Sequence, residues 1–298
     1  MPNTEKKTQN LMNLIKKVHG TVENVDIEKH RQSQDHLGIL FGNNKEVSIK
    51  EIMLEGIHGE WISVNRAHMK KYIILYCHGG GYSTGSSVYA RTLTTKLATS
   101  TSMDVLCFDY RLAPENPYPA ATEDAMKIWN YLMLLGYGAR DIIVAGDSAG
   151  GNMALSLVMK LKMENRLLPR GIVLMSPWTD LTSSGKSHIT KADIDPVLNA
   201  NYINEMIENY AKGENLKNPL ISPLFGSYEG FPPTYIQVGS NEILLNDSTM
   251  LHKKMVKENV SVKIDVFKGM WHVFQMSPFK TAYEAMDKNA EFIYDICR

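Results

Sequence analysis

The chain is short of nearly everything that marks a nucleic-acid-binding, membrane-spanning or disulfide-built protein. Its 32 basic residues are matched by 32 acidic ones, so the formal net charge is zero with histidine neutral. That balance offers no electrostatic footprint for nucleic acid or for an anionic membrane. The three cysteines, Cys77, Cys107 and Cys297, cannot all pair within one chain. Two of them sit in apolar runs, where a thiol serves as a small buried hydrophobe, and a reducing, intracellular setting follows. No run reaches the roughly 18–20 apolar residues of a membrane span. Leu11–Val18 is interrupted by Asn13, Lys16 and Lys17 and lacks signal-peptide character. The expectation is a soluble cytoplasmic protein without stable membrane association, in which the sequons at Asn246 and Asn259 are chance matches.

Nucleotide and metal signatures are missing too. Gly185-Lys186-Ser187 has Asp180 where a phosphate-binding loop needs its first glycine. Gly79–Gly85 has Thr84 where a dinucleotide-binding turn needs its third. There is no H-E-x-x-H and no clustered His/Cys spacing, so no metal site is expected.

What is present is a strand-then-helix rhythm in 298 residues that are 44% hydrophobic, enough for one large α/β domain or two small ones. Val47–Val64 reads as an antiparallel hairpin. Short Ile/Val-rich runs follow at Tyr72–Cys77, Val105–Phe108, Ile142–Ala145, Gly171–Met175, Thr234–Val238 and Val262–Phe267, as in parallel strands buried on both faces. Helical stretches at Val88–Ala98, Ala120–Leu135, Asn152–Met163, Leu245–Glu258 and Tyr283–Ile296 alternate with them. The pattern predicts a mostly parallel central sheet flanked by helices. Residues 1–45 form an amphipathic N-terminal segment, and residues 46–298 form the main domain. Between Met175 and Thr234 the rhythm breaks, with a helix over Asp195–Ala211. An insertion of that length at a strand end, centred on about 183–222, reads as a lid or cap.

Gly146-Asp147-Ser148-Ala149-Gly150 stands between an apolar strand and a helix. A G-x-S-x-G at such a junction makes a tight, strained turn that lifts the serine hydroxyl clear of the sheet. Acyl transfer by serine also needs a base held by an acid, and donors for an oxyanion. His78-Gly79-Gly80-Gly81-Tyr82, directly after a buried strand, offers backbone N–H groups at Gly79 and Gly80 that join the N–H of Ala149. Tyr82 would either line the pocket or pack. His272, just beyond the last strand, is the histidine in the topological position of a base. The acid is Glu242, nearer the strand end, with Asp247 on the first turn of the next helix as its competitor.

Together these motifs resemble the hormone-sensitive-lipase-like (family IV) carboxylesterases of the α/β-hydrolase fold. Supporting matches are Asp109–Glu115 (DYRLAPE), Pro117–Ala121 with Glu123-Asp124, and Ser176–Asp180 (SPWTD). The resemblance implies Ser148 as nucleophile, His272 as base and then acid, Glu242 as the orienting acid, and Gly79, Gly80 and Ala149 as oxyanion donors. It also implies a cap built from the N-terminal segment and the insertion, short-acyl ester substrates, and no cofactor. Arg111, Glu115 and Asp124 read as braces for loops near the site. A lactonase or deacetylase on the same scaffold shares the motifs; a non-catalytic small-molecule binder is disfavoured because Ser148 and His272 are both present. A C-terminal strand at the sheet edge would be free to pair two copies into a homodimer.

Overall fold

The run Ile73-Ile74-Leu75-Tyr76-Cys77 has no polar residue on either face, and it lies at the centre of an eight-stranded sheet. The computed structural model describes Met12, Asn13, Lys16, residues 26–68 and residues 70–298. In chain order these hold α1 (Ile27–Phe41), the hairpin β1 (Val47–Leu54) and β2 (Ile57–Val64), β3 (Ile73–Cys77), α2 (Ser87–Thr101), β4 (Asp104–Phe108) and α3 (Ala120–Leu134). Then come β5 (Ile142–Asp147), α4 (Ala149–Met163), β6 (Gly171–Met175), the short α5 (Ser187–Thr190) and α6 (Ala200–Ala211). The last elements are β7 (Thr234–Gly239), α7 (Leu245–Lys257), β8 (Val262–Phe267) and α8 (Lys280–Cys297).

The strand order is β1-β2-β4-β3-β5-β6-β7-β8. Only the β1/β2 and β2/β4 pairs are antiparallel; the ladder from β4 through β3 to β8 is parallel throughout. Successive side chains of a strand point to opposite faces, and the core divides accordingly. Ile73, Leu75 and Cys77 pack with Trp129 of α3 and Leu155 of α4 on one face. Ile74 and Tyr76 pack with Leu93 and Leu97 of α2 and Ile293 of α8 on the other. The buried runs are therefore apolar without alternation because both faces are covered.

The part of the N-terminal segment that can be compared holds α1, whose N-cap Asp26 accepts from the Glu28 N–H. Arg31 docks this helix by donating to Glu115 at 2.8 Å and to the carbonyls of Ala113 and Ser83. Arg111 likewise clamps Asp124, at 2.8 and 2.9 Å, so the DYRLAPE residues brace loops as expected. Much of the N-terminal segment, residues 1–11, 14–15 and 17–25, lies outside the described residues.

One helix begins later than the sequence suggests. The expected Asp195–Ala211 helix starts at Ala200, capped by Asn199 accepting from the Tyr202 N–H. Asp195 instead closes its own turn by accepting from the N–H groups of Val197 and Leu198, and its other oxygen accepts from the Ile243 N–H. Pro196 follows it, and a residue before proline is pushed out of helical conformation.

Candidate active site

Ser148 stands between the end of β5 and the start of α4 with φ +53° and ψ −121°, a conformation that costs a non-glycine residue on the order of 1–3 kcal/mol. Neighbours hold it there: its N–H donates to the Met175 carbonyl, and its own carbonyl accepts from the Trp178 N–H, both at 3.0 Å. The turn is so close to β3 that a Cβ at Gly150 would lie 2.0 Å from the Cys77 carbonyl oxygen. The glycines of the pentapeptide are required by that approach.

The loop after β8 brings His272 to the serine, with Nε2 2.9 Å from Ser148 Oγ. On the far side of the ring, Nδ1 faces Glu242 Oε1 at 3.6 Å. That separation is an ion-pair contact rather than a hydrogen bond, and neither atom has a hydrogen-bonding partner among the described residues. Glu242 is fully buried, and its other oxygen accepts from the Ser176 hydroxyl and the Gly239 N–H, each at 2.9 Å. Burial pulls the His272 pKa down, but the facing Glu242 carboxylate, with the charges of Asp195 and Asp147, outweighs burial and leaves it raised.

Asp247, the competing acid, points elsewhere. One of its oxygens accepts from the N–H groups of Thr179 and Asp180, and the other meets His188 Nε2 at 2.9 Å. It fastens the segment that follows β6 to α7. Glu242 is the carboxylate placed beside His272.

The structure corrects two of the expected site residues. The Gly79 N–H donates to Asp147 Oδ1 at 3.0 Å, so it is not directed at a substrate oxygen. Gly80 and Gly81 line the cavity instead, and their N–H groups make no hydrogen bond among the described residues. Ala149 opens α4, where a backbone N–H has no intrahelical acceptor. The glycine run therefore meets the cavity one residue later than expected. Which of three consecutive glycines faces a ligand is set by the buried Asp147, whose pKa is raised by burial to about 6 even though it accepts from Tyr76 and Gly79. Tyr82, expected either to line the pocket or to pack, packs. It is buried, stacked on Tyr210 at 3.7 Å between ring centroids, and donates its hydroxyl to Asn152.

A cavity of about 470 Å³ opens at Ser148. Trp178 and Leu244 line it, α1 contributes Leu37 and Phe41, and α6 contributes Tyr202, Ile203 and Met206. Among the described residues, no three His, Cys, Asp or Glu side chains converge as a metal site requires. No helix there is long and apolar enough to cross a membrane. The arrangement can present a hydroxyl to a carbonyl carbon, move its proton through an imidazole, and meet the resulting oxyanion with backbone donors.

Comparison with known proteins agrees. A family model of the alpha/beta hydrolase fold matches residues 74–276. An esterase of Acinetobacter venetianus is 39% identical over 261 residues, covering 87% of this chain and 86% of that one. An acetyl-hydrolase of Streptomyces hygroscopicus is 34% identical over 251 residues, covering 84% and 83%. The crystal structure of a hormone-sensitive lipase from a metagenome library superposes with a TM-score of 0.93 at 35% identity, covering 98% of each chain. On the strength of these matches, the chain belongs to the α/β-hydrolase fold family, among its hormone-sensitive-lipase-like esterases.

Proposed function

We propose that the protein hydrolyses short-acyl carboxylic esters through an acyl-enzyme on Ser148. The observation that carries this reading is the 2.9 Å contact of His272 Nε2 with Ser148 Oγ, on an imidazole whose Nδ1 faces a buried carboxylate. Ser148 Oγ attacks the ester carbonyl as His272 Nε2 takes its proton. The oxyanion that forms is met by the N–H groups of Gly80, Gly81 and Ala149. His272 then gives its proton to the leaving alkoxide, and a water activated by the same nitrogen releases the acid. Glu242 holds the imidazole in the tautomer with a bare Nε2 and stabilises the imidazolium. Helices α1 and α6 act as the cap over the cavity.

Short acyl groups are favoured because one relative is named an acetyl-hydrolase. The thiols of Cys77 and Cys107 are free and buried, which suits a reducing cytoplasm. The test is hydrolysis of p-nitrophenyl esters from acetate to laurate by wild type and Ser148→Ala. Wild type should be fastest on the shortest esters, and the variant should lose turnover by about 10⁴-fold or more. Near-normal turnover in Ser148→Ala would overturn the acyl-enzyme, and a rate that rises towards laurate would overturn the short-acyl preference.

A further inference from the structure

We propose that Ser176 is a positioning residue of this reaction, tying the acid to the base through one hydroxyl. The inference rests on the acyl-enzyme reading above and adds a residue to it. Ser176 follows the last residue of β6, is fully buried, and is not among the residues that line the cavity, so it does not touch substrate. Its hydroxyl donates to Glu242 Oε2 at 2.9 Å and accepts from the Val273 N–H at 3.1 Å. A hydroxyl has one proton and two lone pairs. The Val273 N–H can only donate, so the Ser176 proton is directed to the carboxylate.

The consequence is geometric. Glu242 and His272 sit on loops after β7 and β8, and no covalent path shorter than 29 intervening residues joins them. With Oε2 fixed by Ser176 and Gly239, the remaining oxygen Oε1 is the one presented to His272 Nδ1. The same hydroxyl holds the backbone immediately after His272, where Val273 has φ +48°. Ser176 itself has φ +50°, which glycine adopts freely and alanine does not.

That conformational difference separates the hydroxyl from the backbone. Ser176→Gly and Ser176→Ala both delete the hydroxyl, but only the alanine keeps the strain. Both variants should lose kcat about 10- to 100-fold, the size expected for a misplaced catalytic group, with KM within about twofold. Both should also move the acid limb of kcat/KM to lower pH, because a Glu242 free to turn away no longer offsets the burial that depresses His272. Wild-type kcat in either variant overturns the proposal, as does a loss of kcat with the limb unmoved, which would make Ser176 a structural brace only. Ser148→Ala run beside them separates the two ideas: an active Ser148→Ala defeats the acyl-enzyme reading, whereas an inactive one with a fully active Ser176→Gly defeats this inference alone.

Discussion

Replacing Glu242 with glutamine preserves the side chain's shape and inverts what it says to His272. Glu242 Oε2 accepts from the Ser176 hydroxyl and the Gly239 N–H. The glutamine oxygen must take that place, because an NH₂ there would face two donors. The NH₂ then occupies the position of Oε1, 3.6 Å from His272 Nδ1. Facing protons, Nδ1 stays bare, and the ring proton moves to Nε2, the nitrogen 2.9 Å from Ser148 Oγ. That tautomer cannot take the serine proton. The imidazolium formed during reaction also loses its partner, an interaction of roughly 4–5 kcal/mol at this separation and an effective dielectric of about 20. Glu242→Gln should therefore lower kcat by about 10³- to 10⁴-fold with KM little changed. The acid limb of kcat/KM should move down in pH, since the Glu242 carboxylate is the largest of the charges that offset burial at His272, and without it the basic form persists into more acidic solution. Stopped-flow or steady-state kinetics on p-nitrophenyl acetate from pH 4 to 9 would read both effects. A kcat within tenfold of wild type and an unmoved limb would refute Glu242 as the partner. Asp247→Asn is the matched control: it weakens contacts to Thr179, Asp180 and His188, so it should cost about 1–3 kcal/mol of stability and leave the limb in place.

Three further outcomes follow from the same geometry. At Gly80 the backbone has φ +114°, and a Cβ would lie 2.2 Å from the Thr84 carbonyl oxygen. Gly80→Ala should displace the oxyanion loop and lower kcat by about 10²- to 10³-fold, the loss seen when one such donor is removed; a wild-type kcat would place the donors elsewhere. Tyr82→Phe removes a hydroxyl whose acceptor, Asn152 Oδ1, is also reached by Ser156. Thermal unfolding should report a loss of about 1 kcal/mol with KM unchanged, whereas a severalfold KM change would put Tyr82 back on the substrate. Asp195 is buried, and burial raises its pKa to about 6. Its folded form therefore holds a proton more tightly than the unfolded chain, and that stabilisation is full below about pH 4 and gone above about pH 6. Asp195→Asn lacks the effect, so its stability relative to wild type should improve between pH 4 and pH 7 by roughly 3 kcal/mol; a constant difference in unfolding free energy would contradict the sign.

The sheet was legible because burial on both faces writes continuous apolar runs. Gly171–Met175 falls where the sequence places it and is buried throughout. Val262–Phe267 also falls in place, but it is the edge strand, half-exposed with Lys263 and Asp265 in its run, and not buried on both faces as expected. The hairpin parts at Glu55-Gly56. That Ser148, His272 and Glu242 come together was legible from motif and chain order. What stayed hidden depends on where a side chain from another element happens to point. Nothing in Gly79-Gly80-Gly81 tells which amide Asp147 will take, because that carboxylate lies 68 residues away in sequence. Nothing in Ser176-Pro177-Trp178 announces a hydroxyl 66 residues before the carboxylate it serves. The helix start at Ala200 was different, because its signals are in the sequence: Pro196 disfavours a helical Asp195, and Asn199 is a good N-cap. What the sequence does not show is that the Asp195 carboxylate accepts from the Ile243 N–H, 48 residues away.

The strained residues show how such distant parts are held in register. Ser148 and Ser176 both have φ near +50°, and each stands one residue past a parallel strand. In the ladder, Asp147 is level with Met175, and Met175 with Gln237. The ladder then runs one step beyond the strands: the Ser148 N–H donates to the Met175 carbonyl, and the Ser176 N–H to the Gln237 carbonyl. Each turn is thus pinned to its neighbouring strand before it breaks away. Ser148 is referenced to β6, Ser176 to β7, and Ser176 in turn to both Glu242 and the backbone after His272. Strain of this size persists only where the surroundings over-determine it, and here the over-determination is the hydrogen-bond ladder of a sheet buried on both faces. A sheet of that kind resists sliding, so the distance from Ser148 to His272 is set by strand register more than by the loops that carry the side chains. Substitutions of the cavity-lining residues of α1 or α6 should therefore change which ester is accepted, whereas substitutions in the ends of β5, β6 and β7 should change the rate for every ester alike.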